Sequence, residues 1–138
     1  MSLINNKFMD KLSLAIDELF LYGKEKIQSR KEIKKINIID QFNKDSDGNI
    51  SRYVKYIEFL LKDEFLNEKD IDLLDIEISY KKYNDEIIEI KGEFYASDGK
   101  IFDEFYLIDN LEIILNEIRD FIYRCYMKCD EIIDVYVN

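Results

Sequence analysis

The chain has 138 residues, with 30 acids against 20 bases, a formal net charge of −10 at pH 7 and no histidine. Its length predicts one domain spanning 1–138, and an apolar content of 47% is enough to build a core and argues against disorder. The lack of imidazole removes the commonest acid–base catalyst and metal ligand, and no glycine-rich phosphate loop is present. We therefore predict no enzymatic activity, no cofactor and no metal.

The first helix is predicted from Asn5 or Asn6 onward. Its apolar residues fall at three- and four-residue spacing: Phe8, Leu12, Ala15, Ile16, Leu19 and Phe20. Ser29 and Glu32 have the spacing of a capping box, which predicts a second helix that carries Ile33, Ile36 and Ile39 inward. A third helix is predicted from Ser51, with one apolar face: Tyr53, Ile57, Leu60 and Leu61.

The segment 43–51 is the strongest loop signal in the chain. It resembles the calcium loop of the EF-hand family at three ligand positions (Asn43, Asp45 and Asp47) and at the turn glycine, Gly48. The twelfth position, where the family has a bidentate glutamate, is Val54. We therefore interpret 43–51 as a solvated loop that joins two helices, with weak calcium binding by Asp45 and Asp47 as the alternative.

Apolar and polar residues then alternate, which predicts an antiparallel meander of three strands around 74–80, 88–96 and 101–108. A three-residue loop at 83–85 pairs Tyr80 with Ile88, and a two-residue turn at Asp98-Gly99 pairs Gly92 with Phe105. This register places five residues together on the outer face of the sheet: Glu93, Tyr95, Phe102, Glu104 and Tyr106. It also turns Asp103 inward, which a longer loop would correct.

A long C-terminal helix is predicted from a start at Asp109 and Glu112. Its apolar stripe is continuous: Leu111, Ile114, Leu115, Ile118, Ile122, Cys125 and Cys129. The two cysteines share a helix face without further soft ligands, so we interpret them as buried core residues. The β-branched segment 132–137 is compatible with a short closing strand. The fold class is α+β, with about three N-terminal helices, a three-stranded antiparallel meander and a long C-terminal helix.

Charge is distributed unevenly along the sequence. Residues 1–36 hold eight bases and five acids, a net charge of +3, whereas the remaining residues hold twelve bases and 25 acids, a net charge of −13. Such a field steers charged partners, and the acidic balance opposes direct binding to nucleic acid. A helical segment 24–35 would align Lys24, Lys31 and Lys35 on one face as an anion-binding site.

These features favour a small acidic binding protein that inhibits or neutralises a partner with a basic surface, such as a nuclease. Immunity proteins and phage-encoded anti-defence proteins are analogous in size and charge. The expected contacts are Glu93, Tyr95, Phe102, Glu104 and Tyr106, because aromatic side chains next to charged ones are common at interfaces. The alternative is that helices cover both faces of the sheet and that these aromatic residues belong to the core. The alternative function is a small-molecule or nucleotide-binding regulatory module, as a monomer or a homodimer, that uses Lys24, Lys31 and Lys35. A structural component of an assembly is a third option.

We expect the protein to be cytoplasmic and independent of membranes. It has only two cysteines, which fits a reducing compartment, and no apolar run approaches the length of about twenty residues that a membrane helix needs. The abundance of Ile, Lys and Asn is typical of an AT-rich genome, so the preference for lysine over arginine carries little information about partners.

Overall fold

The computed structural model describes residues 6–48, 50–65, 71–84, 86–97 and 99–136. Within these residues it contains two long α-helices and one five-stranded antiparallel sheet with the strand order β1-β2-β3-β4-β5. The elements in chain order are α1 (Asn6–Ile27), β1 (Ile33–Lys44), β2 (Ile50–Leu61), a short 3-10 helix (Asp63–Phe65), β3 (Leu73–Lys82), β4 (Ile88–Ala96), β5 (Gly99–Ile108) and α2 (Leu111–Tyr136).

The prediction of three N-terminal helices and a three-stranded meander is wrong, because the second and third predicted helices are the strands β1 and β2. A β-bulge explains the first error. The register between β1 and β2 shifts between Ile33 and Lys35, so Ile33 and Ile36 face the same side of the sheet although they are three residues apart. This spacing imitates a helical period, whereas Ile39 lies on the opposite side.

The second error comes from β2, where apolar residues four apart fit both a helix and a strand. Tyr53, Ile57 and Leu61 lie on one side of the strand, and Lys55 lies between them on that same side. Lys55 is only 4% exposed because it forms ion pairs with Asp17 of α1 at 2.8 Å and Asp40 of β1 at 3.0 Å. This buried charge interrupts the apolar alternation that would have indicated a strand.

Both helices pack on one side of the sheet, which we call the helix-covered face. The buried residues of that face come mainly from β2, β3 and β4: Ile57, Phe59, Leu61, Leu74, Ile76, Ile78, Tyr80, Ile88, Ile90, Phe94 and Ala96. The two helices also contact each other closely, because Gly23 leaves room for the ring of Tyr126. A Cβ atom at Gly23 would lie 1.7 Å from Tyr126 Cζ. The Tyr126 hydroxyl donates to the Phe20 carbonyl at 3.2 Å.

The β4–β5 register differs from the predicted one by one residue. Ala96 pairs with Gly99, and beyond a bulge Gly92 pairs with Glu104 rather than with Phe105. Because side chains alternate between the two faces, this slip moves every residue along most of β5 to the other side. Asp103 therefore lies on the solvent side, and Glu104 lies on the helix-covered face. Asp98 of the predicted turn lies outside the described residues.

The β3–β4 connection is longer than predicted, with Tyr80 paired with Ile90 instead of Ile88. This shift of two residues keeps each side chain on its predicted face. Asp85 of this loop lies outside the described residues. The segment 43–51 connects two strands rather than two helices, so its likeness to an EF-hand is confined to the sequence. There the Asp47 amide donates to Asp45 Oδ1 at 2.9 Å.

The N-terminal cap of helix α2 lies one residue later than predicted, and the helix begins at Leu111. The side chain of Asn110, not Asp109, accepts hydrogen bonds from the amides of Glu112 and Ile113 at 2.9 and 3.2 Å. Cys125 and Cys129 are buried free thiols, which confirms their core role. The predicted closing strand is wrong over its described part, because α2 continues to Tyr136. None of the described helices combines the length and apolarity needed to cross a membrane.

Candidate protein-interaction face

The side of the sheet opposite the helices, which we call the open face, presents the alternate residues of all five strands. No described helix packs on it. Its central residues form rows across the strands, and two rows contain most of the acids. One row runs Asn37, Glu58, Asp75, Tyr95 and Lys100, and the next runs Ile39, Tyr56, Glu77, Glu93 and Asp103.

The structure separates the five residues that the sequence grouped as partner contacts. Glu93 and Tyr95 lie on the open face, where the Tyr95 hydroxyl donates to Glu93 and this bond raises the pKa of Tyr95 to about 12. Phe102, Glu104 and Tyr106 lie on the helix-covered face because of the one-residue slip in register.

Phe102, Glu104 and Tyr106 of β5 make contacts within the fold, on the side that faces the helices. Phe102 packs edge-to-face against Phe121 of α2, with ring centroids 5.7 Å apart. Glu104 forms an ion pair with Arg124 of α2 and accepts a hydrogen bond from the hydroxyl of Tyr106. These contacts fasten α2 to β5.

Two apolar side chains that sequence reasoning missed take their place on the open face of β5. Phe105 is 55% exposed and Leu107 is 47% exposed, and they pair with Lys91 and Glu89 of β4. Phe105 and Leu107 alternate with Glu104 and Tyr106 in the sequence. The charged Asp103 in an inward position was the signal that the predicted register was shifted by one residue.

One end of the open face is neutralised by its own bases. Arg52 donates to Glu89 at 2.8 Å and to the Ser79 hydroxyl at 3.1 Å, and Lys81 lies 3.8 Å from the same carboxylate. Arg52, Ser79 and Glu89 line a surface depression of about 490 Å³. Its lining residues are Arg52, Val54, Glu77, Ser79, Glu89, Lys91, Glu93 and Phe105.

The β5 edge of the open face is neutralised in the same way. Lys100 donates to Asp103 at 2.9 Å and lies 4.0 Å from Glu93, while Lys91 lies 3.5 Å from Glu93. The hydrogen bond from Lys100 lowers the pKa of Asp103.

Glu58, Asp75 and Glu77, which we call the acidic trio, differ from these paired acids. Within the described residues, no lysine or arginine nitrogen lies within 4.0 Å of their carboxylate oxygens. Asp75 Oδ1 is buried and has no hydrogen-bond partner in that part of the chain. Burial, followed by the negative charges of Glu77, Glu58 and Glu93, raises the pKa of Asp75 to about 7. Burial and Glu93 also raise the pKa of Glu77.

The acidic excess of the chain is not gathered on the open face. Its described residues include six acids and five bases. The acids are Glu58, Asp75, Glu77, Glu89, Glu93 and Asp103, and the bases are Lys35, Arg52, Lys81, Lys91 and Lys100. The distinctive feature is therefore local: bases form ion pairs with the acids at the margin, whereas no described base forms an ion pair with the acidic trio.

The structure does not bring the predicted anion-binding lysines onto one helix face. Lys24 lies in the last turn of α1, Lys31 in the following connection and Lys35 on β1. A cleft of about 330 Å³ opens nearby between α1 and α2. Its aromatic wall is formed by Tyr22 and Tyr123, whose ring centroids are 6.1 Å apart.

Comparison of the chain with protein-family models, with curated proteins and with solved structures found no match. Among the described residues, no group of three or more acidic or thiol side chains has the arrangement of a metal site.

Proposed function

We propose that this chain is a cytoplasmic, non-catalytic binding protein that docks its open face on the basic surface of a partner protein and blocks that surface. Immunity and anti-defence proteins that neutralise nucleases are the functional class it suits. The observation that carries the proposal is the acidic trio, three neighbouring carboxylates on an uncovered sheet face without cations of their own among the described residues.

The trio supplies a physical reason for binding cations. Asp75 keeps a buried oxygen without a hydrogen-bond partner in the described part of the chain, so its ionised form is held at a cost. A guanidinium or ammonium group from a partner would lower that cost by offsetting the repulsion among the three acids. The net charge of −10 would accelerate the encounter with a basic protein and make its rate sensitive to salt.

Aromatic and apolar side chains around the trio would slow dissociation. Tyr56 and Tyr95 each occupy a position beside one of its members in the rows, and Phe105 lies exposed farther along the face. Large side chains next to charged groups commonly dominate the binding energy of protein interfaces. Glu93 and Tyr95 thus remain proposed contacts, now joined by Tyr56 and Phe105 in place of the inward residues of β5.

The proposal is tested first with a labelled deca-arginine peptide, whose binding is followed by fluorescence anisotropy at low and high salt. We expect the double variant Glu58→Gln/Glu77→Gln to bind about tenfold more weakly, because each lost ion pair is worth up to about 1 kcal/mol. The matched control is Glu18→Gln/Glu25→Gln on the exposed side of α1, which removes the same two charges. Equal weakening of both variants would show that only net charge matters.

The functional class is tested with a panel of basic ribonucleases and deoxyribonucleases on a fluorogenic nucleic-acid substrate. We expect a stoichiometric amount of the protein to inhibit at least one of them, with relief by Glu58→Gln/Glu77→Gln but not by the α1 control. If none of the nucleases is inhibited, the immunity or anti-defence assignment fails, even if the open face binds the peptide.

The cleft between the helices favours a second candidate, a small-molecule or nucleotide-binding module. Its volume of about 330 Å³ lies within the range of ligand pockets, and Lys26 lies 4.7 Å from the centroid of the Tyr22 ring. A thermal-shift screen against nucleotides tests this candidate. A ligand at a hundredfold its Kd adds about 2.7 kcal/mol of stability, so a nucleotide site would give a clear shift.

A further inference from the structure

The strand β1 forms one edge of the sheet and leaves half of its backbone hydrogen-bonding groups unpaired within the described fold. It pairs only with β2, and its register is regular from Lys35 to Asn43. Alternate residues of such a strand direct their N–H and C=O groups away from the sheet. An edge of this length is a template for a further strand.

Apolar side chains accompany this edge. Ile38 and Phe42 lie on the helix-covered face of β1 but are 36% and 53% exposed, whereas Ile57, which pairs with Ile38 on β2, is fully buried. On α1, Leu14 and Leu21 are 62% and 51% exposed. They lie about one turn before and after Asp17, the α1 residue that pairs with Lys55 of β2, so we group them with this edge. We call these four residues the edge strip.

The opposite edge of the sheet is better protected. Helix α2 contacts β5 through the Glu104–Arg124 ion pair and the packing of Phe102 on Phe121, and a bulge interrupts the β4–β5 ladder. The middle of β1 has a single charged residue, Asp40, which lies 3.0 Å from Lys55 and shares this lysine with Asp17. β1 is therefore the edge that is better suited to pairing.

We propose that β1 pairs antiparallel with β1 of a second copy of this chain, across a two-fold axis near Asp40, to form a continuous ten-stranded sheet. This register sets Ile38 opposite Phe42 of the second copy and covers the apolar edge strip. It also brings the basic start of β1, at Lys34 and Lys35, beside the acidic turn after β1, at Asp45. The two Asp40 side chains meet at the axis, where each shares the cation of its own Lys55 with Asp17.

The dimer has a consequence for binding. An antiparallel pairing with residues of equal parity opposite each other keeps both helix-covered faces on one side of the sheet. The two open faces then form one surface that carries two acidic trios. The pairing itself does not depend on the proposed function, because it uses the strand edge and none of the trio residues.

Sedimentation velocity of the full chain over a wide concentration range tests the proposal. We expect a species of twice the monomer mass of 16.6 kDa. Ile38→Lys and Phe42→Lys should each shift dimer formation to at least tenfold higher concentration, with Phe42→Lys decisive if circular dichroism shows that Ile38→Lys is unfolded. The matched control is Met127→Lys, which places the same charge at a 70% exposed apolar position on α2.

The dimer would be overturned by a monomer at every concentration, or by a dimer that the folded Phe42→Lys variant leaves intact. Equal dissociation by Met127→Lys would also contradict it, since that residue lies on another element. Glu58→Gln/Glu77→Gln should retain the dimer mass, so failure of the dimer and failure of partner binding are separable.

Discussion

Replacing Asp75 with Asn should stabilise the protein at pH 8 and should stabilise it less than half as much at pH 5. The folded state holds a proton on Asp75 up to about pH 7, whereas the unfolded chain ionises near its ordinary pKa of 3.8. Between these values the folded state binds more protons, so the stability of the wild type falls as pH rises. Asn resembles the protonated carboxyl and carries no charge at any pH.

The magnitude follows from the shift in pKa. A rise from 3.8 to about 7 corresponds to an upper bound of about 4 kcal/mol. Because Asp75 is only partly buried, solvent screening reduces this to about 1–2 kcal/mol of stabilisation by Asp75→Asn at pH 8. The assay is urea unfolding followed by circular dichroism at the two pH values.

Asp103→Asn is the matched control, because it is the same substitution on the same face and its expected effect on stability at pH 8 has the opposite sign. Lys100 lowers the pKa of Asp103, so its contribution is present at neutral pH and is lost as pH falls through the lowered pKa. Asp103→Asn should therefore reduce stability at pH 8. A loss of stability from Asp75→Asn at pH 8, or an equal effect at both pH values, would refute the view that Asp75 is ionised at a cost.

Substitutions at three further positions test the fold, each by the free energy of unfolding in urea. Gly23→Ala should destabilise by about 2 kcal/mol or more, since the added methyl group occupies the position of the Tyr126 ring; an unchanged midpoint would contradict the close crossing of the helices. Asn110→Ala should lower the free energy of unfolding by about 1 kcal/mol through loss of the α2 cap, whereas Asn110→Asp should retain most of the stabilisation by the cap. Lys55→Ala should cost about 2–4 kcal/mol because it leaves Asp17 without its partner, and a cost near zero would show that the buried ion pair is unimportant.

The parts of the fold with one clear period were predictable from the sequence. Helices α1 and α2 and the strands β3 and β4 follow their apolar patterns closely. β1 and β2 were not predictable in this way, because a bulge near Lys34 created a three-residue spacing and the buried Lys55 broke the alternation. Both features depend on partners that are distant in sequence, so tertiary contacts override the local pattern.

The candidate face was only partly predictable for the same reason. Glu93 and Tyr95 were placed correctly on the solvent side, but a one-residue slip in β5 exchanged Tyr106 for Phe105. Glu58 was assigned to a predicted helix and so was never considered beside Asp75. Adjacency across strands depends on register, and register depends on turns and bulges whose positions the composition of the segment does not determine.

The central claim, that the acidic trio on the open face is the binding surface, is tested most directly by mapping amide chemical shifts during titration with the deca-arginine peptide. We predict that the largest changes lie on the central strands, around Glu58, Asp75 and Glu77, and that amides on the exposed sides of α1 and α2 change little. Changes concentrated on the helices, or spread evenly over all acidic residues, would contradict the claim.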